Sequence, residues 1–224
     1  MSDALTLTPL PLFPLGTVLY PGGVLPLRIF EVRYLDMIGK CHKAGAPFGI
    51  VSLTEGSEVR QLADATSRNA RPGSDGFAHE AFSTIGTLAT IREFSVPQPG
   101  LMVIRCVGAQ RFDISRREKL KHGLWIADVT RLADDPSVKI PDDLQHTANA
   151  LGKLIKSLQV RGMPTAQMPF LTPYRLDDCG WVANRWCELL PIQLELKQRL
   201  MQLDNPLLRL ELVSDILERT GISL

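Results

Sequence analysis

Cysteine is scarce in this chain, and none of it is spaced for metal or redox work. Cys41, Cys106, Cys179 and Cys187 are the four present, and no two stand at the two-residue separation of a zinc knuckle or redox dithiol. Cys179 and Cys187 lie eight positions apart in a helical stretch, about 12 Å along the axis, too far to share a metal there. All four read as buried, reduced thiols. Net charge is nearly absent as well, at +1, which removes the usual signature of a polyanion partner and leaves only local patches to consider. A phosphate-binding glycine loop ending in Gly-Lys-Ser or Gly-Lys-Thr is missing, as are the dinucleotide fingerprint and the Gly-x-Ser-x-Gly elbow. His79-Glu80 starts like a zinc-protease helix, but position 83 is serine. His42, His79, His122 and His146 stand apart, with no ligand spacing on one element. No catalytic, cofactor-binding or metal-binding residue is expected, and the chain is read as a non-enzyme.

Long apolar helices are missing too. Residues 4–27 carry no charge, but Pro9, Pro11, Pro14, Pro21 and Pro26 interrupt them. A spanning helix must satisfy its own backbone groups in lipid and does not tolerate such a density of proline. The start MSDAL has an acid and no base, a poor secretory signal. The expectation is a cytoplasmic chain with no membrane partner. With 224 residues, 45% hydrophobic and 22% charged, it suits a globular protein of one or two domains.

What is present is concentrated in Pro11–Tyr34, PLFPLGTVLYPGGVLPLRIFEVRY. Proline fixes φ and lacks an amide donor, and glycine accepts angles that other residues refuse, so this stretch breaks into short extended pieces. Leu25, Leu27 and Ile29 alternate with Pro26, Arg28 and Phe30, the pattern of a strand with one apolar face. From Glu31 the period lengthens, and Val32, Leu35 and Ile38 fall on one side of a short helix.

Lys40–Pro47 ends that helix at a glycine. Phe48–Leu53 reads as a buried strand, and residues 54–77 as a long polar loop or loose hairpin connection. A strand-rich block follows. Ile85, Thr87, Ala89 and Ile91 share a face, Pro97–Gly100 makes a turn, and LMVIRCVGAQRFDI resumes the strand, with Gly108 marking a bulge or break. Arg111–Lys121 reads as an exposed strand and turn, and another strand follows Gly123. Short strands at this spacing suggest an antiparallel sheet closing into a small barrel. At 134–143 acids and prolines replace strand periodicity, and we place the domain boundary there, giving a β-barrel domain over 1–135 and a helical domain over 136–224. Leu144, Ala148, Leu151, Ile155 and Leu158 keep one helical face. Asp177 or Asp178 suits a cap for the next helix, on which Val182, Trp186 and Leu189 align. Pro191 ends it, a third helix runs from about Gln193 to Leu203, and Asn205-Pro206 opens a last one through Leu208, Leu212 and Ile216, closed by Gly221.

Three sets of residues are candidates for function. Arg28, Glu31, Arg33 and Tyr34 form the most specific polar set. One reading has an arginine pair with Glu31 and tie strand to helix, and the other puts Arg28 or Tyr34 in a recognition groove. Trp181 and Trp186, five apart, cannot both lie centrally on one helix face, so one fills core and the other is free to anchor a partner protein. Arg116, Arg117, Lys119 and Lys121, with His122, surround Glu118 in a basic turn. It is either a solvated hairpin tip or an RNA patch, and no aromatic ladder interleaves with it.

The segment LPLFPLGTVLYPGGVLPLRIFEVRY closely resembles the opening of the Lon protease amino-terminal (substrate-binding) domain family: a Leu-Pro-Leu-Phe-Pro start, a Pro-Gly turn, then Leu-Pro-Leu-x-Ile-Phe-Glu-x-Arg-Tyr. Val32 stands where that family often has proline. GTLATIREF, VGAQRFDI and LPIQLELKQRLMQLDNPLLRLELV are similar to its later segments, so the resemblance covers about residues 9–218. It implies an α+β fold, an amino-terminal PUA-like β-barrel followed by a carboxy-terminal helical bundle. It implies recognition of polypeptide or unfolded protein segments, with a protease complex as a further partner. The family's ATPase and peptidase domains find no counterpart in this sequence, so none of the protease's catalytic residues carries over. The expected function is that of a stand-alone polypeptide-binding module, an adaptor or holder of unfolded segments; the alternative is RNA binding through the PUA-like barrel.

Overall fold

Apolar residues that alternate between two faces dominate the first half of the chain, and they fold as a curved sheet with one face packed on a helix and the other packed against its own strands. The computed structural model describes residues 6–58, 79–164 and 167–220. The strands are β1 (Thr6–Leu15), β2 (Val24–Ile29), β3 (Phe48–Glu55), β4 (Ala81–Phe82), β5 (Ile85–Gln98), β6 (Leu101–Lys119) and β7 (Trp125–Arg131), with helix α1 (Val32–Ala44) between β2 and β3. They run in the order β1-β7-β6-β5-β3-β4, with β2 beside β6 and β1 also beside β3. The expected antiparallel PUA-like barrel is corrected here. The pairing of β1 with β3 is parallel, with Phe13 opposite Ile50; the path runs on to β4, and β2 branches from β6. The sheet is mostly antiparallel rather than a simple closed barrel. The parallel pair follows from the connection, because β2 and α1 carry the chain across before it returns as β3, and parallel strands need a crossover of that kind.

Each central strand contributes to two apolar layers. Phe13, Ile50 and Ala89 join α1's Tyr34, Met37 and Ile38 in one. Their neighbours Leu12, Val51 and Leu88 join Phe112, Ala127 and Val129 in the other. A strand buried on both faces reads as an unbroken apolar run, which is why FGIVSL shows no alternation. The Phe112 ring sits where a side chain on Gly49 or Gly86 would be, within 2.8 Å and 2.6 Å of the Cβ either would carry. The bulge foreseen at Gly108 is present: Thr87 pairs with Arg111 and Ala89 with Gly108, three positions on β6 against two on β5. The loop expected over 54–77 lies mostly outside the described residues.

Helix α1 is turned from its expected face. It buries Arg33, Tyr34, Met37, Ile38 and Cys41, while Val32 is 82% exposed. Tyr34 stacks on Phe13 with ring centroids 4.0 Å apart, and this large aromatic contact outweighs a lone valine in setting the rotation.

One unit of the chain runs to Ala133; the second takes in Asp134 onward, together with Gly22–Val24. The second unit holds α2 (Gln145–Val160), α3 (Cys179–Leu189), α4 (Leu194–Gln202) and α5 (Pro206–Arg219), with a 3-10 turn at Asp142–Leu144. Helix α2 buries Ala148, Leu151 and Ile155 as its periodicity predicts. Helix α3 touches α2, α4 and α5 and is buried along nearly its whole length, its buried Arg185 answered by Glu188 one turn on. Asp178 caps it, accepting from the Trp181 amide at 2.8 Å. Asn205 caps α5, accepting from Leu207 and Leu208 amides. The face of α5 is also corrected: it buries Arg209, Leu210, Val213, Ser214 and Leu217, leaving Leu208 and Leu212 exposed. Arg209 decides this rotation. Its guanidinium bonds Asp135 at 2.5 Å, Asn184 at 2.9 Å and the Leu200 carbonyl at 2.9 Å, and also the Leu203 carbonyl, and a buried cation so completely paired holds its helix in place. Gly221 lies outside the described residues.

Candidate functional site

The most polar part of the opening motif resolves into an outer strand and a buried clamp. On β2, Ile29 is buried, Leu25 and Leu27 are half-buried, and Pro26, Arg28 and Phe30 point outward. Among the described residues β2 pairs only with β6, so one strand edge keeps unpaired backbone groups, the arrangement that accepts an added strand. Phe30 is 57% exposed, and Val32 continues the apolar stripe.

Behind it, Glu31 is the residue before α1 and makes no side-chain cap. Its carboxylate accepts from Arg33 Nε at 3.0 Å. Arg33 Nη1 donates to the Gly123 carbonyl at 2.9 Å, and Nη2 to Glu80 Oε1 at 3.1 Å. The other Glu80 oxygen accepts from Trp125 Nε1 at 2.9 Å and lies 3.6 Å from Lys119 Nζ. The Arg33 and Glu80 side chains are only 4% and 6% exposed. Burial alone would push the Glu80 carboxyl up; hydrogen bonds from Trp125 and Arg33, with the charges of Arg33 and Lys119, outweigh it and hold the group below the usual carboxylate range. Burial also works against the Arg33 cation, but Tyr34, Glu80 and Glu31 together raise it above its ordinary value. Every charge in this cluster is answered by another, so it can hold the β6–β7 turn against α1 but offers no free acid or base. The strand-to-helix tie is therefore made by Arg33, and Arg28 is left at the surface.

The remaining sequence candidates divide sharply. Tyr34 and Trp186 belong to the core, 2% and 5% exposed. Each is enclosed by its own unit, and Trp186 also donates to the Thr147 carbonyl at 3.0 Å. Trp181 is half-buried, with the rings of Phe170 and Tyr174 and the Arg185 guanidinium around it. In the basic turn, Arg117 lies over the Phe82 ring at 4.7 Å, and Lys119 is engaged with Glu80 and the Trp125 face. Arg116 and Lys121 are exposed. The turn thus exposes Arg116, Arg117 and Lys121, while Lys119 is drawn half-buried toward Glu80.

A sequence model of the ATP-dependent protease La (LON) substrate-binding domain matches residues 9–219. The chain belongs to the Lon substrate-binding domain family. A crystal structure of a Lon N-terminal domain protein from Xanthomonas campestris is similar, with 27% identity, a TM-score of 0.67, and coverage of 93% of this chain and 98% of that one. The N-terminal domain of a Mycobacterium avium complex Lon protease shares the fold at 17% identity and a TM-score of 0.57, covering 93% of this chain and 97% of that one. No match was found among curated proteins.

The Lon-family motif Ile-Phe-Glu-x-Arg-Tyr thus places Ile29, Arg33 and Tyr34 inward and Phe30 outward, with Glu31 at the rim. The family is that of a substrate-binding, non-catalytic domain. Among the described residues no cluster of His, Cys, Asp or Glu could hold a metal, and no helix is long and apolar enough to cross a membrane. All four cysteines are buried free thiols, and burial pushes Cys106 up to about 12 and Cys179 up to about 11, far from thiolate chemistry. Glu80 is what sequence reasoning missed. His79-Glu80, which starts like a zinc-protease helix, separates in the fold, His79 to an exposed contact with Glu55 and Glu80 into the clamp. No local spacing links Glu80 to Arg33, Lys119 and Trp125, because the fold gathers them from four parts of the chain.

Proposed function

We propose that this protein is a non-catalytic polypeptide-binding module that takes extended, unfolded segments, acting as an adaptor or holder. The observation that carries it is β2. Among the described residues it has a strand edge with no paired strand, an outward stripe of Phe30 and Val32, and Arg28 beside them to fix a carboxylate or backbone carbonyl. Main-chain hydrogen bonds along such an edge supply affinity without sequence choice, and the side-chain stripe supplies selectivity for apolar residues. The clamp of Glu31, Arg33 and Glu80 serves this function indirectly, by making the end of β2 rigid before a partner arrives. Family membership supports polypeptides as the ligand class.

The test is titration of the purified protein with carboxymethylated casein, followed by fluorescence anisotropy. Saturable binding at tens of micromolar or tighter is expected, about −6 kcal/mol or better. Phe30→Asp combined with Val32→Asp should weaken it about tenfold, since these exposed side chains contribute little to folding. No saturable binding by the unaltered protein would reject the proposal.

A further inference from the structure

We propose that the second unit carries its own polypeptide-binding groove along α2, selective for extended segments bearing a basic and an acidic residue four or five positions apart; this rests on the reading above. The groove has a volume of about 360 Å³ and is lined by Gln145, Ala148, Asn149, Gly152, Lys153 and Leu176. Its floor is apolar and leaves room because Ala148 and Gly152 carry almost no side chain, and Leu176 closes one side, 3.3 Å from where a Gly152 Cβ would stand.

The rim gives the groove its chemistry. Gln145, Asn149 and Lys153 follow one another at four-residue intervals, so they stand in a row about 6 Å apart. An extended chain presents like-facing groups every two residues, about 6.6 Å apart. Three successive rim side chains can therefore meet three successive turns of an extended backbone's pleat. Asn and Gln amides both donate and accept, which is what peptide groups need, and a lysine donates. Among the described residues, none of these three side chains has a hydrogen-bond or ion-pair partner of its own.

Charge decides the occupant. Exposed Asp142 and Asp143 stand just ahead of Gln145, and exposed Lys153 and Lys156 stand at the other end. Ten helical residues separate Asp143 from Lys153, about 15 Å, which an extended chain covers in four or five residues. A nucleic acid would meet repulsion at the aspartates, and an anionic lipid surface would too. A peptide with one base and one acid at this separation satisfies both ends.

The full-length protein is titrated with three fluorescein-labelled ten-residue peptides of Ala, Val, Ser and Gly. They carry Lys and Glu five apart, two Glu, or two Lys at the same positions. The mixed peptide should bind about fivefold more tightly than either like-charged one. Asn149→Trp, which fills the groove from an exposed position, should weaken the mixed peptide about tenfold. Lys153→Glu should do the same, and the two-Lys peptide should then recover the loss, a swap that a purely structural effect of the substitution could not produce. Circular dichroism checks the fold, and Asn149→Ala replaces Asn149→Trp if the latter is unfolded. Equal binding of the three peptides, or unchanged binding by both variants, overturns the groove. If casein binding persists and responds to Phe30→Asp, the reading above stands without it. A loss of self-association in Asn149→Trp, measured by sedimentation, would make a second copy of this chain the occupant and also overturn the proposal.

Discussion

Replacing Glu80 by alanine should be among the most damaging single changes available in the sheet. The carboxylate is enclosed, accepting from Trp125 at 2.9 Å and Arg33 at 3.1 Å, with Lys119 at 3.6 Å. Its removal leaves Arg33 with Glu31 and the Gly123 carbonyl, but strands one guanidinium nitrogen and the indole N–H away from water. Breaking one side of a buried ion pair costs about 3–5 kcal/mol. Because Arg33 keeps two other acceptors, the lower end applies, about 3 kcal/mol. In urea, with an m-value of about 1.5–2 kcal/mol/M for a unit of this size, the midpoint should fall by about 1.5–2 M. The transition is read by circular dichroism and by hydrogen exchange in the β6–β7 turn, where the loss should be concentrated. Replacing both partners, Arg33→Met with Glu80→Leu, should recover much of the stability, because no charge is then left buried without a partner. The pH dependence has a defined sign. The folded Glu80 carboxyl lies below its ordinary value, so its contribution is complete above the unfolded carboxylate range and is lost as pH falls through the folded value. Glu80→Ala should flatten this acid limb. A midpoint within about 0.3 M of the parent, or a double variant no better than the single one, would refute the clamp as described.

Glu188 should act with the opposite sign. Burial raises its carboxyl to about 7 against the pull of Arg185 and Lys197, so the second unit should lose stability as pH rises from about 4.5 to about 7, and Glu188→Gln should remove that slope in thermal melts taken across this range. Gly108→Ala should lower the melting temperature by several degrees, since the added Cβ would stand 2.2 Å from the Tyr20 carbonyl oxygen, a clash with backbone that costs roughly 2–3 kcal/mol; an unchanged melt would show that β6 can shift away. A single-stranded RNA titration is expected to show no saturable binding at 0.15 M salt, because Arg117 and Lys119 are already engaged; tight binding that falls steeply with salt and disappears in Arg116→Glu/Lys121→Glu would favour the RNA reading.

Sequence alone determined whatever rests on local physics. Proline and glycine excluded a helix before β2, the alternation of Leu25, Leu27 and Ile29 assigned that strand's inner face, and Asp178 and Asn205-Pro206 marked where two helices begin, because caps, turn angles and periodicity are settled by near neighbours. The motif around Phe30–Tyr34 was legible as a family signature, and the opening of the candidate surface with it. Tertiary structure alone decided the rest. The rotation of α1 depends on Phe13, which meets Tyr34 from another strand; that of α5 depends on Asp135 and Asn184 meeting Arg209. Glu80 became half of a clamp, Lys119 was drawn toward it, and Arg117 was laid over the Phe82 ring, all through partners distant in the chain. Periodicity says only that a helix or strand has an apolar side, whereas the pairing of a buried charge is decided by which distant groups the fold brings within about 3 Å of it.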